Sequence, residues 1–374
     1  MSHNDKQLNV RNSSIEALRI MAIIMIIFHH FSFYGGFEWG TPSISIPRLW
    51  YNFIFMGGKI GVNLFVFISG YYLINDNGRV FRLNKIAKLV GQVLFYSLVI
   101  YMIGGMIGAQ DLGVSSLIKA CFPITFSRWW FVSTYFVLYL LHPFLNKLLH
   151  SMDKSMYQTF LLVLVTFWSV IPTFTSSSYE GNSLLWFATL YSISGYIRLY
   201  GLNNKFSTMH YFIFWLICSF LSYISSVVFT ILGTKWEFFA SHTTYFFGES
   251  KITTLLISLN LFMIFATLKM NYHKWINTFA SASFGVYLIH DNSLIRNFLW
   301  TELFKNAHYQ ESLLLIPYSI MVVAIVYLVC SFIDLFRQHM IEKPFMIIVK
   351  RYSEKKTIPF EKYIVLLKDF VFGK

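Results

Sequence analysis

Residues Ile15–Tyr34 read IEALRIMAIIMIIFHHFSFY, a stretch apolar and long enough to cross a bilayer as a helix. It nevertheless carries Glu16 and Arg19 at one end and His29-His30 further along. Ionisable groups inside a span are costly, so they face a bundle interior or a wet cavity and mark functional sites. The competing reading is a snorkelling arginine with histidines hydrogen-bonded to neighbouring helices. At helical rise Arg19 and His30 stand roughly 16 Å apart along the axis. A cation near one face and an imidazole deep inside suit a donor with a charged head and a reactive far end. Glu16 and Arg19 lie three residues apart, one helical turn, so each can offset the other's burial cost.

The rest of the chain agrees with a membrane setting. Of its 374 residues, 56% are hydrophobic and 13% charged, about half the charged fraction of a soluble domain. Apolar segments at 15–34, 53–74, 86–108, 129–149, 157–175, 184–200, 208–231, 252–270, 278–299 and 313–336 predict an all-α, polytopic bundle of about ten transmembrane helices. The net charge of +13 could suggest nucleic acid, but the basic residues collect in alternate connections and in the tail. That pattern predicts membrane topology with both termini cytoplasmic. The first segment reads as a retained anchor, because it is too long for a signal peptide and lacks a small-residue cleavage site. Residues 1–344 form the membrane domain, and 345–374 a basic tail that can lie at the interface. Cys121, Cys218 and Cys330 have neither metal nor redox spacing and read as packing residues; no metal site is expected.

Depth arithmetic brings a second histidine into play. Measured from the starts of the first and ninth spans, His30 lies roughly 22 Å in and His290 roughly 18 Å in, so the two can meet. Asp291 follows His290 directly but diverges from it on a continuous helix. His29 points about 100° away from His30, so only one of them is expected to face a given cavity. In the second span Gly57, Gly58, Gly61 and Gly70 permit close helix approach, and Asn63 can bridge helices or contact substrate. Arg79, Arg82, Lys85 and Lys88 surround the start of the third helix, which suits an anion; the positive-inside rule alone also explains them. Trp129 and Trp130 belong to an aromatic belt or to a platform for a sugar ring. Tyr135 and Tyr139, one turn apart, can line a cavity. Asp334 can pair with Arg337.

Four segments taken together, IEALRIMAIIMIIFHHF, GVNLFVFISGYYL, WWFVSTYFVLYLLHPFLN and FGVYLIHDNSLIRNFLW, resemble in order and spacing the bacterial acyltransferase-3 family of integral-membrane O-acyltransferases. The IEKPF after the last span extends the similarity over most of the chain, and compact Gram-positive members that modify capsular or other exopolysaccharides look most similar. The family's basic residue, ten intervening residues and histidine are matched by Arg19 and His30. The resemblance implies transfer of acetyl from cytoplasmic acetyl-CoA to a hydroxyl of a surface polysaccharide or its lipid-linked precursor, at a bacterial cell membrane. It also implies an Arg-x-x-Arg pair at the third helix that holds CoA phosphates. Arg79-Val-Phe-Arg82 fits the spelling, whereas Lys85-Ile-Ala-Lys88 fits the helical position. Many relatives carry a fused extracellular SGNH domain; none is expected here, and the bundle itself is then expected to serve the acceptor.

On this reading His30 acts as general base or as transient acyl acceptor. His290, Asn63 and the tyrosines steady the imidazole or the carbonyl oxygen developing charge. The alternatives are a glycan transporter or flippase without chemistry, for which no inverted repeat is evident, and an O-acyltransferase acting on another acyl donor or on teichoic acid or peptidoglycan.

Overall fold

The computed structural model describes residues 12–39, 44–76, 83–110, 112–175, 177, 179, 181–202, 205–355, 369–371 and 373. The described chain is helical, with no strand among those residues. It begins with α1 (Ser13–Phe33), α2 (Ile46–Leu73), α3 (Leu83–Met106), α4 (Val114–Cys121) and α5 (Trp130–His150). Next come α6 (Lys154–Val165), which runs through a π-turn at Thr166–Val170 into α7 (Ile171–Thr175), then α8 (Ser183–Tyr200) and α9 (Thr208–Gly233). The chain continues with α10 (Glu237–Ser241), α11 (Ile252–Thr267), α12 (Lys274–Ser281), α13 (Ser283–His290), α14 (Ser293–Asn297), α15 (Leu315–Arg337) and α16 (Lys343–Lys355).

Among the described residues, seven helical stretches are long and apolar enough to cross a membrane: α1, α2, α3, α6–α7, α9, the 237–267 stretch and the 315–351 stretch. The helices α5 and α8, 21 and 18 residues long, occupy two more of the expected spans. The expected continuous helix at 278–299 is broken instead. Helix α12 ends at Ser281, α13 at His290, and α14 restarts after Asn292, whose side chain accepts from the Leu294 amide at 3.1 Å. A local side-chain cap competes with continued helix at such a residue. The boundary expected at 344/345 falls inside α16, where Phe345 packs over Gly91 of α3; residues 356–368 of the tail lie outside the described residues.

Helix α1 sits at the centre, packed on α2 most extensively and also on α11, α12, α13 and α15. Ile15, Leu18, Ala22, Ile23 and Ile27 are fully buried there. The glycines of α2 make the closeness possible. A Cβ on Gly61 would stand 2.6 Å from the Ala22 carbonyl oxygen, and one on Gly58 would collide with the His29 ring. Small residues at such crossings let backbones meet where lipid supplies no hydrophobic drive between helices. Conversely, α9 turns Phe212, Phe220 and Leu221 outward, as a helix facing acyl chains does. Charge inside the bundle is partnered. Asp334 accepts from Gln92 at 3.1 Å, Tyr96 at 2.7 Å, Arg337 at 2.8 Å and Gln338 at 2.7 Å, so its expected pairing with Arg337 is one bond of four.

Replacing Gly61 with Val should force α1 and α2 apart at a backbone contact. Overpacking of this kind costs about 1–3 kcal/mol, and the thermal midpoint of the detergent-extracted protein is expected to fall. An unchanged midpoint would show that the two helices are not held this closely.

Candidate active site

Helical periodicity on four elements lines two neighbouring cavities inside the bundle. On α2, Gly58, Val62, Phe65, Ser69 and Tyr72 recur at intervals of three and four and face inward together. Helix α1 contributes Glu16 and Arg19 at one level and Ile26, His29, His30 and Phe33 at the other. Helix α5 contributes Trp130, Phe131, Tyr135 and Tyr139, and the broken α12–α13 contributes Ala280, Ser281, Phe284 and Tyr287. The larger cavity, about 950 Å³, is lined by Arg19, Lys85, Lys88 and Arg198 with Glu16 among its described residues, four cations to one carboxylate. The smaller, about 330 Å³, is lined by His29, His30 and Lys59 amid aromatic and aliphatic side chains.

The histidine pair expected from depth arithmetic is present. Nδ1 of His30 lies 2.9 Å from Nε2 of His290. The other nitrogen of His290, Nδ1, stands 2.6 Å from the Val286 carbonyl oxygen. A carbonyl only accepts, so Nδ1 of His290 carries a proton, and in the neutral ring its Nε2 must accept. His30 therefore donates from Nδ1, which leaves Nε2 as its basic nitrogen, and no described residue hydrogen-bonds to that atom. Asp291, not expected to need His290 as its partner, meets other groups: its Oδ1 lies 3.7 Å from His30 Nδ1 and 3.5 Å from Arg296. Arg296 in turn donates to the Tyr34 hydroxyl at 2.9 Å.

His29 also lines the smaller cavity, so the expectation that only one of the two histidines faces it is corrected. The ring of His29 reaches the cavity because α2 holds it. Its Nδ1 donates to the Phe55 carbonyl at 2.7 Å, and it lies over Gly58, where any Cβ would exclude it.

The remaining expected residues divide by place. Glu16 and Arg19 pair at 3.2 Å on the wall of the larger cavity. Lys85 and Lys88 line the same cavity while pairing with Asp76 at 3.5 Å and Glu342 at 2.6 Å. Arg79 and Arg82 lie outside the described residues. Tyr135 and Tyr139 line the larger cavity and Trp130 the smaller, with the Lys59 ammonium 4.4 Å from its ring centre. Trp129, at the start of α5, is buried at 2% exposure and lines neither cavity. Asn63 is fully buried and bridges helices: it donates to the Glu249 carbonyl at 3.2 Å and accepts from Trp186 at 3.1 Å, which leaves it on neither cavity wall. Sequence reasoning missed Lys59, although a lysine inside GGKIG is an ionisable group within a span and could have been singled out on that ground. Lys59 pairs with Glu249 at 3.0 Å.

A cavity that holds the tautomer-fixed His30 and a neighbouring cavity lined by cations together form the candidate site. The family model described as an acyltransferase domain, that of the acyltransferase-3 family, matches residues 12–333, and the chain belongs to that family. No curated protein and no solved structure gives a match.

The tautomer assignment has a direct spectroscopic consequence. Histidine ¹⁵N spectra at neutral pH, assigned by single substitutions, are expected to show His290 and His29 protonated at Nδ1 and bare at Nε2. A resonance pattern with Nε2 of His290 protonated would reverse the donor and acceptor in the pair.

Proposed function

We propose that this membrane acyltransferase moves acetyl from acetyl-CoA to a hydroxyl of a surface polysaccharide, or of its lipid-linked precursor, at a bacterial cell membrane. The observation that carries the reading is the fixed tautomer of the His30–His290 pair, with His30 in a cavity that neighbours one lined by cations. Both termini and the larger cavity are taken as cytoplasmic, following the distribution of Lys and Arg. Arg19, Lys85, Lys88 and Arg198 then receive the phosphates of the donor, with Arg79 and Arg82 as further candidates. The pantetheine arm rises past Arg19 towards His30.

In the transfer step the acceptor oxygen attacks the thioester carbonyl while His30 Nε2 takes the hydroxyl proton. The new C–O bond forms, the C–S bond breaks, and the proton passes from the imidazolium to the departing sulfur. The products are an O-acetyl ester and free CoA. His290 fixes which nitrogen of His30 is basic, and Asp291 at 3.7 Å favours the imidazolium that forms. Trp130 offers an aromatic wall for the sugar, with Lys59 beside it. Family membership favours chemistry over transport, and teichoic acid or peptidoglycan would be served by the same site.

The test is transfer of labelled acetyl from acetyl-CoA in membranes that express the protein and contain the host's glycan or lipid-linked precursors. Label should enter a base-labile ester product. His30→Ala at matched abundance is expected to lower the rate by about 10²–10⁴-fold, the range of a lost general base, whereas His29→Ala keeps most of it. Transfer that survives without His30 but not without His29 would move the base to His29. A wild-type protein that transfers nothing, with donor and acceptor both present, would contradict the acetyl-CoA reading. Substituting His290 with Gln should reduce kcat while leaving the KM for acetyl-CoA unchanged, because His290 acts through His30 and touches no donor group. A change confined to KM would remove it from that positioning role.

A further inference from the structure

The two cavities have three wall residues in common, Phe65 of α2, Phe131 of α5 and Phe284 of α13. Each belongs to a different helix, and each lies where its helix passes from the polar to the histidine-bearing level. On α2 Phe65 falls between Val62 above and Ser69 below, on α5 Phe131 between Trp130 and Tyr135, and on α13 Phe284 between Ser281 and Tyr287. The vestibule and the His30 chamber therefore meet at a ring of phenyl groups. We infer that Phe65, Phe131 and Phe284 form a collar that the acyl-bearing arm of the donor must thread, and that the collar sets the longest acyl chain admitted to His30. This rests on the reading that a CoA thioester enters from the vestibule.

The three rings are not equally fixed. Phe131 is stacked on Tyr135 with centroids 5.8 Å apart and meets Phe187 and Tyr287 at 5.6 Å each. Phe65 meets Phe131 at 6.2 Å, edge to face. Both Phe65 and Phe284 are only partly buried, and Phe284 makes no ring contact among the described residues. Phe131 thus supplies the most firmly packed side of the collar. Beyond the collar the chamber holds about 330 Å³, at the low end of ligand cavities. An acceptor sugar and a short acyl group compete for that space. A collar filled by the donor arm also limits the access of vestibule water to the thioester when no acceptor is seated, which limits wasteful hydrolysis.

Chain-length preference tests the collar. Acetyl-, propionyl-, butyryl- and hexanoyl-CoA are compared as donors for the wild-type protein, Phe284→Ala, Phe284→Trp and Phe65→Leu. Phe144→Ala, at an outward-facing phenylalanine 59% exposed, serves as control. Ratios of long to short donors within one variant cancel differences in abundance and partial loss of folded protein. Phe284→Ala is expected to raise the hexanoyl-to-acetyl ratio by about tenfold or more, since one or two methylenes of pocket space discriminate on that scale, and to raise hydrolysis of acetyl-CoA without acceptor. Phe284→Trp should shift the ratio the opposite way, and Phe144→Ala should leave it alone. Ratios in Phe284→Ala and Phe65→Leu equal to wild type, with acetyl transfer intact, overturn the collar while leaving the donor reading standing. A wild-type protein inactive with every acyl-CoA overturns both together.

Discussion

Charge and backbone polarity inside a low-dielectric bundle must be answered by partners, because no water is at hand to do so. The fold of this chain follows from that constraint. Asp334 at zero exposure gathers four donors, and these draw α3 and α15 together. Asn63 joins α2 to α8 through Trp186, and Asn146 of α5 accepts from Tyr191 of α8 at 2.6 Å. The cavity walls carry a second set of polar groups, Arg19, Lys85, Lys88, Arg198 and the two histidines of α1 among them, which are placed to meet a substrate.

The same constraint explains why the site sits where α13 stops. At that end the Val286 carbonyl, still inside α13, fixes the tautomer of His290, and the Asp291 carboxylate just past it stands 3.7 Å from His30. Helix breaks are tolerated at depth only where the protein re-satisfies the freed groups, and here Asn292 caps the restart.

Much of this was legible in the sequence. The run from Ile15 to Tyr34 announces a span with chemistry in it, and counting residues inward brought His30 and His290 to matching depths. The glycines of α2 declared a close crossing. The break in the ninth span escaped notice because apolar run length does not register a cap, although Asp291-Asn292-Ser293 carries three residues that favour one. The shared cavity of His29 and His30 was missed because an angle of 100° on a helix assumes a narrow cavity wall, while this chamber wraps α1 from α2 round to α13. The phenylalanine collar was out of reach of any single-sequence reading. With 40 phenylalanines in the chain, no one of them stands out, and only convergence in space distinguishes three.

On the proposed reading, one continuous route joins the cationic vestibule to the basic imidazole. Its most direct test is a structure of the protein with a non-hydrolysable thioether analogue of acetyl-CoA. Phosphates are expected among Arg19, Lys85, Lys88 and Arg198, with the arm passing between Phe65, Phe131 and Phe284 and the acetyl end in the small chamber. An acceptor oxygen placed on its carbonyl carbon would then stand about 3.5 Å or less from His30 Nε2. An arm that stops in the vestibule, or enters the chamber from the opposite face of the bundle, would contradict it.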